Sequence, residues 1–235
     1  GLIYLVADNG FYIYTLDGKL VKHVLENVTG ANQIVHFNRR SILCSELSGL
    51  YSYERSSGET EHLSLLKFGK AFNWQGAVCM DQETDSILWI GTLSWGLIRV
   101  DLSTLESVSY TMENGLPGND VTAIERDEQG RMWLSTSDGI SCMYTPGRFN
   151  NFSSHEGIGN DQFHRRSSFT DSKGTIYFGG NNGISYFNPS ELTLNAKFDK
   201  HTYFQDIIIN DSRVEVGDES AILSKTLPFT DELVF

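Results

Sequence analysis

One phrase recurs along this chain: a short aromatic and β-branched run, a polar turn ending in glycine, and a second run of the same kind. Residues 174–189, GTIYFGGNNGISYFNP, give its fullest form. Earlier copies read GLIYLVADNGFYIYTLDGK from Gly1, SILCSELSGLYSYERSSGE from Ser41, SILWIGTLSWGLIRVDLSTLE from Ser86 and GRMWLSTSDGISCMYTPGR from Gly130. The turn glycines are Gly10, Gly49, Gly96, Gly139 and Gly183, at separations of 39, 47, 43 and 44 residues. Such a period restricts the fold severely, because each repeat must be one supersecondary unit that buries its face on the next copy.

The runs are four to six residues long, alternate or stay apolar, and are rich in Ile, Val, Tyr, Phe and Trp, which are strand features. Asn9-Gly10, Asp138-Gly139 and Asn182-Gly183 supply the positive φ that a two-residue hairpin needs. A second turn, as in Asp127-Glu128-Gln129-Gly130 and Asp171-Ser172-Lys173-Gly174, precedes most copies. Each period therefore holds four strands, placed in the fourth repeat near 121–127, 131–137, 139–145 and 148–154. A repeated four-stranded antiparallel unit of this length is a β-propeller blade. The fold class expected is all-β: five blades over residues 1–195, the first lacking its innermost strand, closed as a ring or open as an arc.

Trp133, Tyr177 and Tyr4 each stand six residues before their turn glycine, and Trp89 stands seven before Gly96 because that turn is one residue longer. Leu43 takes the position in the second copy. These side chains are expected to fill the wedge between adjacent blades.

The glycine period stops after Asn188-Pro189. Residues 196–235 alternate as strands around Asn210-Asp211 and Gly217-Asp218, and read as the opening strands of a β-sandwich. Their apolar positions Ile207, Ile209, Val214 and Val216 call for a covering sheet, and an open edge favours pairing with a second chain. With 18 basic and 30 acidic residues the net charge is −12, which argues against nucleic acid or an anionic membrane surface as a partner. No apolar stretch is long enough to span a bilayer. Cys44, Cys79 and Cys142 lack metal-site spacing; Cys44 and Cys142 fall on strands as buried thiols, with one disulfide left open.

The blade phrases SILWIGTLSWGLIRVD and GRMWLSTSDGI, with NGLPGNDVTAIERDEQG before the second and GIGNDQFHRRSSFTDSKGTIYFGGNNGISYFNP closing the series, resemble two-component regulator propeller repeats. FQDIIINDSRVEVGD resembles the opening strands of the immunoglobulin-like domain with three tyrosines that follows such propellers. The resemblance implies the periplasmic sensor region of an inner-membrane hybrid two-component protein. Its histidine kinase, receiver and DNA-binding domains would lie beyond the membrane. It further implies detection of glycan breakdown products, and dimerisation through the sandwich region.

Catalytic signatures are absent: there is no GxSxG elbow, HExxH helix, P-loop or EF-hand loop, and no cofactor or metal site is expected. Asp127 in DEQGRMW stands three residues before its glycine, one too many for the Asp-box of sialidase propellers, and reads as a strand-connecting turn. Asp120 in GLPGNDV and Asp161 in GIGNDQF fall at matching places in successive repeats, which suggests turn capping. In a four-stranded meander, the loop feeding the innermost strand and the turn between strands two and three open on one face. That face carries loops 67–74, 113–120 and 155–162 and the turn Leu93-Ser94-Trp95-Gly96. Trp74 and Trp95 are thus the candidates to stack on a sugar ring, with Asn73, Asn119, Asp120, Asn160 and His164 as hydrogen-bonding neighbours. An oligosaccharide-sensing module is the leading reading; a glycan-active propeller enzyme and a protein-interaction scaffold are the alternatives.

Overall fold

The computed structural model describes residues 1–192, except 38, 73, 155 and 156, together with the backbone of residues 208–209 and 212–213. The chain divides into two compact units, Gly1–Leu192 and Thr193–Phe235.

The first unit consists of five antiparallel meanders. Blade 1 holds β1 (Leu2–Ala7), β2 (Gly10–Thr15) and β3 (Leu20–Val24). Blade 2 holds β4 (Ala31–Phe37), β5 (Arg40–Ser45), β6 (Gly49–Glu54) and β7 (Thr60–Leu63). A two-stranded hairpin, β8 (Leu66–Lys67) and β9 (Lys70–Ala71), follows in what the sequence suggested was plain loop. Blade 3 holds β10 (Ala77–Gln82), β11 (Ile87–Thr92), β12 (Leu97–Asp101) and β13 (Ser107–Tyr110). Blade 4 holds β14 (Val121–Arg126), β15 (Met132–Thr136), β16 (Gly139–Thr145) and β17 (Arg148–Phe152), within two residues of the boundaries expected for that repeat. Blade 5 holds β18 (Phe163–Thr170), β19 (Ile176–Gly180) and β20 (Gly183–Phe187). Among the described residues blades 1 and 5 have three strands each. The pair β21 (Ile208–Ile209) and β22 (Ser212–Arg213) closes around Asn210-Asp211, and the rest of the sandwich reading lies outside the described residues.

Period-two alternation gives every central strand two apolar faces, one for each neighbouring blade. Trp89 faces blade 4 among Leu116, Val121, Met132 and Leu134, and Ile90 faces blade 2. Trp133 lies against Phe187 of blade 5 at 4.6 Å between centroids. Tyr4 meets His36 of blade 2 at 4.6 Å. In blade 2 the equivalent residue is Ile42, not Leu43. Ser45 pairs with Gly49 across a turn as long as that from Thr92 to Gly96, so the position lies seven residues before the glycine. Ile42 accordingly joins the blade 2–3 core and Leu43 the blade 1–2 core.

A local lock repeats in three blades. Glu83 Oε2 accepts from Trp89 Nε1 at 2.8 Å, Asp127 Oδ2 from Trp133 Nε1 at 2.8 Å, and Asp171 Oδ2 from the Tyr177 hydroxyl at 3.2 Å. Each acid lies six residues before its aromatic and so fastens the turn to the wedge. Asp127 also accepts from the backbone N–H groups of Gln129 and Arg131, which makes it a turn organiser, as DEQGRMW implied. Polar side chains tie neighbouring innermost strands together. Gln33 bonds both backbone groups of Met80, Arg126 Nε donates to Asp81 Oδ2 at 2.5 Å, and Thr170 donates to Glu125 at 2.6 Å. Burial pushes the Asp81 carboxyl up, and the Arg126 charge only partly offsets it.

The outward faces of the two terminal blades are exposed, among them Ile3 and Leu5 in blade 1 and Phe169, Ile184 and Tyr186 in blade 5. The five blades therefore do not close face to face as a ring. All three cysteines are free and buried. Burial raises the thiols of Cys44 and Cys142 to about 12 and pushes Cys79 higher still.

Candidate functional site

The interblade loops and the turns between second and third strands do share one face, and backbone hydrogen bonds stitch them together. Glu46 N donates to the Gly30 carbonyl, Gly76 N to Glu46, Leu93 N to Gly76, and Gly96 N to Asn119. Farther along, Ser137 N donates to Asp120 and Gly139 N to Asp161. A ligand on this face would meet loops that cannot move independently.

Trp95 sits on that face, 41% exposed, with its ring edge-on to Phe72 at 5.4 Å and 88°. Its turn is held from three sides: Leu93 N on Gly76, Ser94 N on Asp120 Oδ1 at 2.8 Å, and Gly96 N on the Asn119 carbonyl. Ser94 takes φ 71°, a conformation unusual for a side chain other than glycine or asparagine, so this geometry is imposed by its surroundings. The result is a flat apolar surface on a rigid mount.

Trp74 does not join it. The indole is 7% exposed and packs in the blade 2–3 core with Leu50, Leu63, Leu65, Met80 and Leu88. Only an edge reaches a cleft of about 270 Å³ lined also by His62, Phe72 and Gln75. An indole in an interblade loop can be drawn into the wedge as readily as outward, since it gains far more by burial than a polar loop residue.

The polar candidates are mostly committed to backbone. Asn119 Oδ1 accepts from Met112 N at 2.9 Å, and Asp161 Oδ1 accepts from Ser154 N at 2.8 Å. These two are the true equivalents, because the carbonyl of each also receives the turn glycine's N–H. Asp120 instead corresponds to Gln162, whose carbonyl receives Asn181 N as the Asp120 carbonyl receives Ser137 N. The Gly-Asn-Asp strings at 118–120 and 159–161 are thus one residue out of phase, which corrects the equivalence of Asp120 with Asp161. Asp161 caps the loop that feeds its own innermost strand, whereas Asp120 fastens the blade 3 turn through Ser94 N.

Asn160 is buried and braces the 180–183 turn: its Oδ1 accepts from Asn182 N at 2.6 Å and its Nδ2 donates to Ser185 Oγ at 3.2 Å. It is a positioning residue of blade 5 rather than a surface donor. His164 is exposed on β18, beyond the loop. Asn73 lies outside the described residues. Phe72 was passed over in the sequence, although AFNW places it two residues before Trp74. The structure brings together Trp95, Phe72, Asn119 and Asp120, and it leaves Trp74, Asn160 and His164 elsewhere. Among the described residues no group of three or more His, Cys, Asp or Glu side chains is placed to hold a metal ion.

Residues 115–138 match the family model described as two component regulator propeller. A histidine kinase, P4, from Formosa agariphila is 27% identical over 128 residues, which are 54% of this chain and 9% of that protein. Two solved extracellular domains of hybrid two-component systems from B. thetaiotaomicron superpose on it. One gives a TM-score of 0.65 at 20% identity over 92% of this chain and 33% of that one. The other gives 0.69 at 17% identity over 91% and 32%. The chain spans a third or less of the length of each of these relatives. At these identities the superpositions speak for the fold, and the family match speaks for the blades: the chain is a β-propeller that carries a two-component regulator propeller repeat at residues 115–138.

Proposed function

We propose that this chain is an extracytoplasmic ligand-sensing region of a two-component signalling protein, and that its ligand is an oligosaccharide. The observation that carries the reading is the Trp95 platform. An exposed indole, braced by Phe72 and mounted on a turn pinned by Asp120, offers stacking without a reactive group poised beside it. Asn119, Asp120 and Asp161 spend side-chain atoms on backbone, so the face favours recognition over turnover. The relatives, a histidine kinase and extracellular domains of hybrid two-component systems, support a sensor whose kinase lies elsewhere in the protein and whose propeller lies in the periplasm. Control of transcription follows from that arrangement. Self-association through residues 196–235 supplies the dimer a kinase requires.

Calorimetric titration of the chain with a panel of neutral oligosaccharides tests the reading. Binding by at least one member, weakened severalfold by Trp95→Ala, is the expected result, since an aromatic stack contributes about 0.5–1.5 kcal/mol beyond the area it buries. Hydrolysis of a panel member would favour the enzyme reading instead, and no binding across the panel would end the oligosaccharide assignment. Light scattering separates the dimer: a chain ending at Asn195 stays monomeric while the 235-residue chain grows in mass with concentration. Equal masses would remove that role from the tail.

A further inference from the structure

The innermost strands of blades 2, 3 and 4 each carry one inserted residue at one place in the ladder. Asn32, Val78 and Thr122 stand between pairs that are consecutive on the partner strand. Blade 5 departs from this. Its ladder passes from Phe163–Gly180 to Ser168–Phe178, so four residues, 164–167, stand opposite Gly179 alone. His164, Arg165 and Arg166 are exposed on this wide bulge, and Arg166 is held at φ 55°. Bulges re-aim side chains, and strained backbone kept at an exposed position is a mark of function.

The two arginine side chains are aimed at blade 2, three blades away. Arg165 Nη1 donates to Glu46 Oε1 at 2.7 Å, and Arg166 Nη1 donates to the Asn32 carbonyl at 3.2 Å. Arg166 also lies near enough to Cys44 and Cys79 for its charge to act on both thiols. The bulge therefore projects two guanidinium groups toward blade 2, with His164 exposed beside them, in a chain whose net charge is −12. Glu46 is the one carboxylate bonded to them among the described residues. Each guanidinium has five N–H donors in a planar fork and donates one hydrogen bond to another blade among the described residues, and both side chains are exposed. A carboxylate or a sulfate ester matches that fork.

We propose that Arg165 and Arg166 form a binding site for the oxyanion group of a small solute, with Glu46 occupying Arg165 until the ligand arrives. The site is built on elements other than the Trp95 turn and stands whether or not that turn binds sugar. A ligand here would bridge blades 2 and 5 through the middle of the propeller.

Titration of the 235-residue chain with galacturonate and with galactose 6-sulfate, at constant chloride and with galactose as the neutral control, tests the site and tells carboxylate from sulfate. At least one anionic sugar is expected to bind about tenfold or more tighter than galactose, and the double variant Arg165→Gln, Arg166→Gln removes that advantage. Glu46→Gln is expected to strengthen anion binding, because it frees Arg165 without removing a donor; a mere structural clasp would show no gain. Equal affinity for charged and neutral sugars, an unchanged double variant that still folds, or weaker binding in Glu46→Gln would each overturn the assignment.

Discussion

Blades 4 and 5 are written in nearly the same words, yet they differ in what covers them. In blade 4 the wedge aromatic, Trp133, is completely buried, stacked on Phe152 of its own blade and pressed against Phe187 of the next. In blade 5 the same position is Tyr177, which stacks on Tyr186 at 5.8 Å, and Tyr186 is 70% exposed. Both hairpins have the same register and the same acid-to-aromatic lock. The blade's shape is therefore a property of its own sequence, while its contribution to stability depends on the neighbour it meets.

The largest separation between the two blades is expected at that aromatic. Trp133→Ala leaves an unfilled cavity at a fully buried site and should cost about 3–5 kcal/mol, against about 1 for Tyr177→Ala, read from urea unfolding. Equal costs would show that the exposed face of blade 5 is covered in solution.

The turn glycines give a second contrast. Gly139 and Gly183 have φ of 97° and 109°, but a Cβ on Gly139 would lie 2.3 Å from the Phe152 carbonyl oxygen, while one on Gly183 meets nothing within 4 Å. Gly139→Ala should therefore lose about 2–4 kcal/mol, the backbone clash adding to the left-handed penalty of about 1–2 that Gly183→Ala bears alone. A matching loss at Gly183 would place something against that turn.

A smaller effect concerns Asp171. Hydrogen bonds from the Thr175 and Lys173 N–H groups hold its carboxyl below the usual range, opposed by burial. A depressed carboxylate contributes fully above its unfolded pKa, and the contribution disappears as pH falls through the lower folded value. The stability gap between the wild type and Asp171→Asn should accordingly be largest near pH 7 and close toward about pH 3. A gap independent of pH would mean the charge is not what holds the turn. Least visible of all is the thiol chemistry: with Cys44 and Cys142 raised to about 12 and all three buried, a maleimide at pH 8 should label none until the chain unfolds. Rapid labelling in either blade would reveal local opening.

What was legible in the sequence follows the range of the interactions involved. The strands of blade 4 and its turns were readable because alternation and an Asp-Gly turn are local. The identity of Ile42 was within reach too, since the spacing of Ser45 and Gly49 repeats that of Thr92 and Gly96; matching by distance from the glycine obscured it. Matching by string did the same for Asn119 and Asp161, whose equivalence rests on which carbonyl receives a glycine N–H. Trp74 was unreadable, because an indole in a loop can turn inward or outward and only the assembled wedge decides. The wide bulge was harder still: FHRRSS holds no Gly, Pro, Asn or Asp to mark an insertion, which appears only when the partner Gly179 is counted against it.

The lock between Glu83, Asp127 or Asp171 and its aromatic closes inside a single hairpin and asks nothing of an adjacent blade. A gene segment encoding one such hairpin can be duplicated, deleted or moved without losing it. Only the wedge surfaces must then be matched anew. Tandem arrays of this kind can therefore change their blade number by recombination faster than by substitution, each new copy arriving already braced and needing only a few apolar exchanges to fit its place.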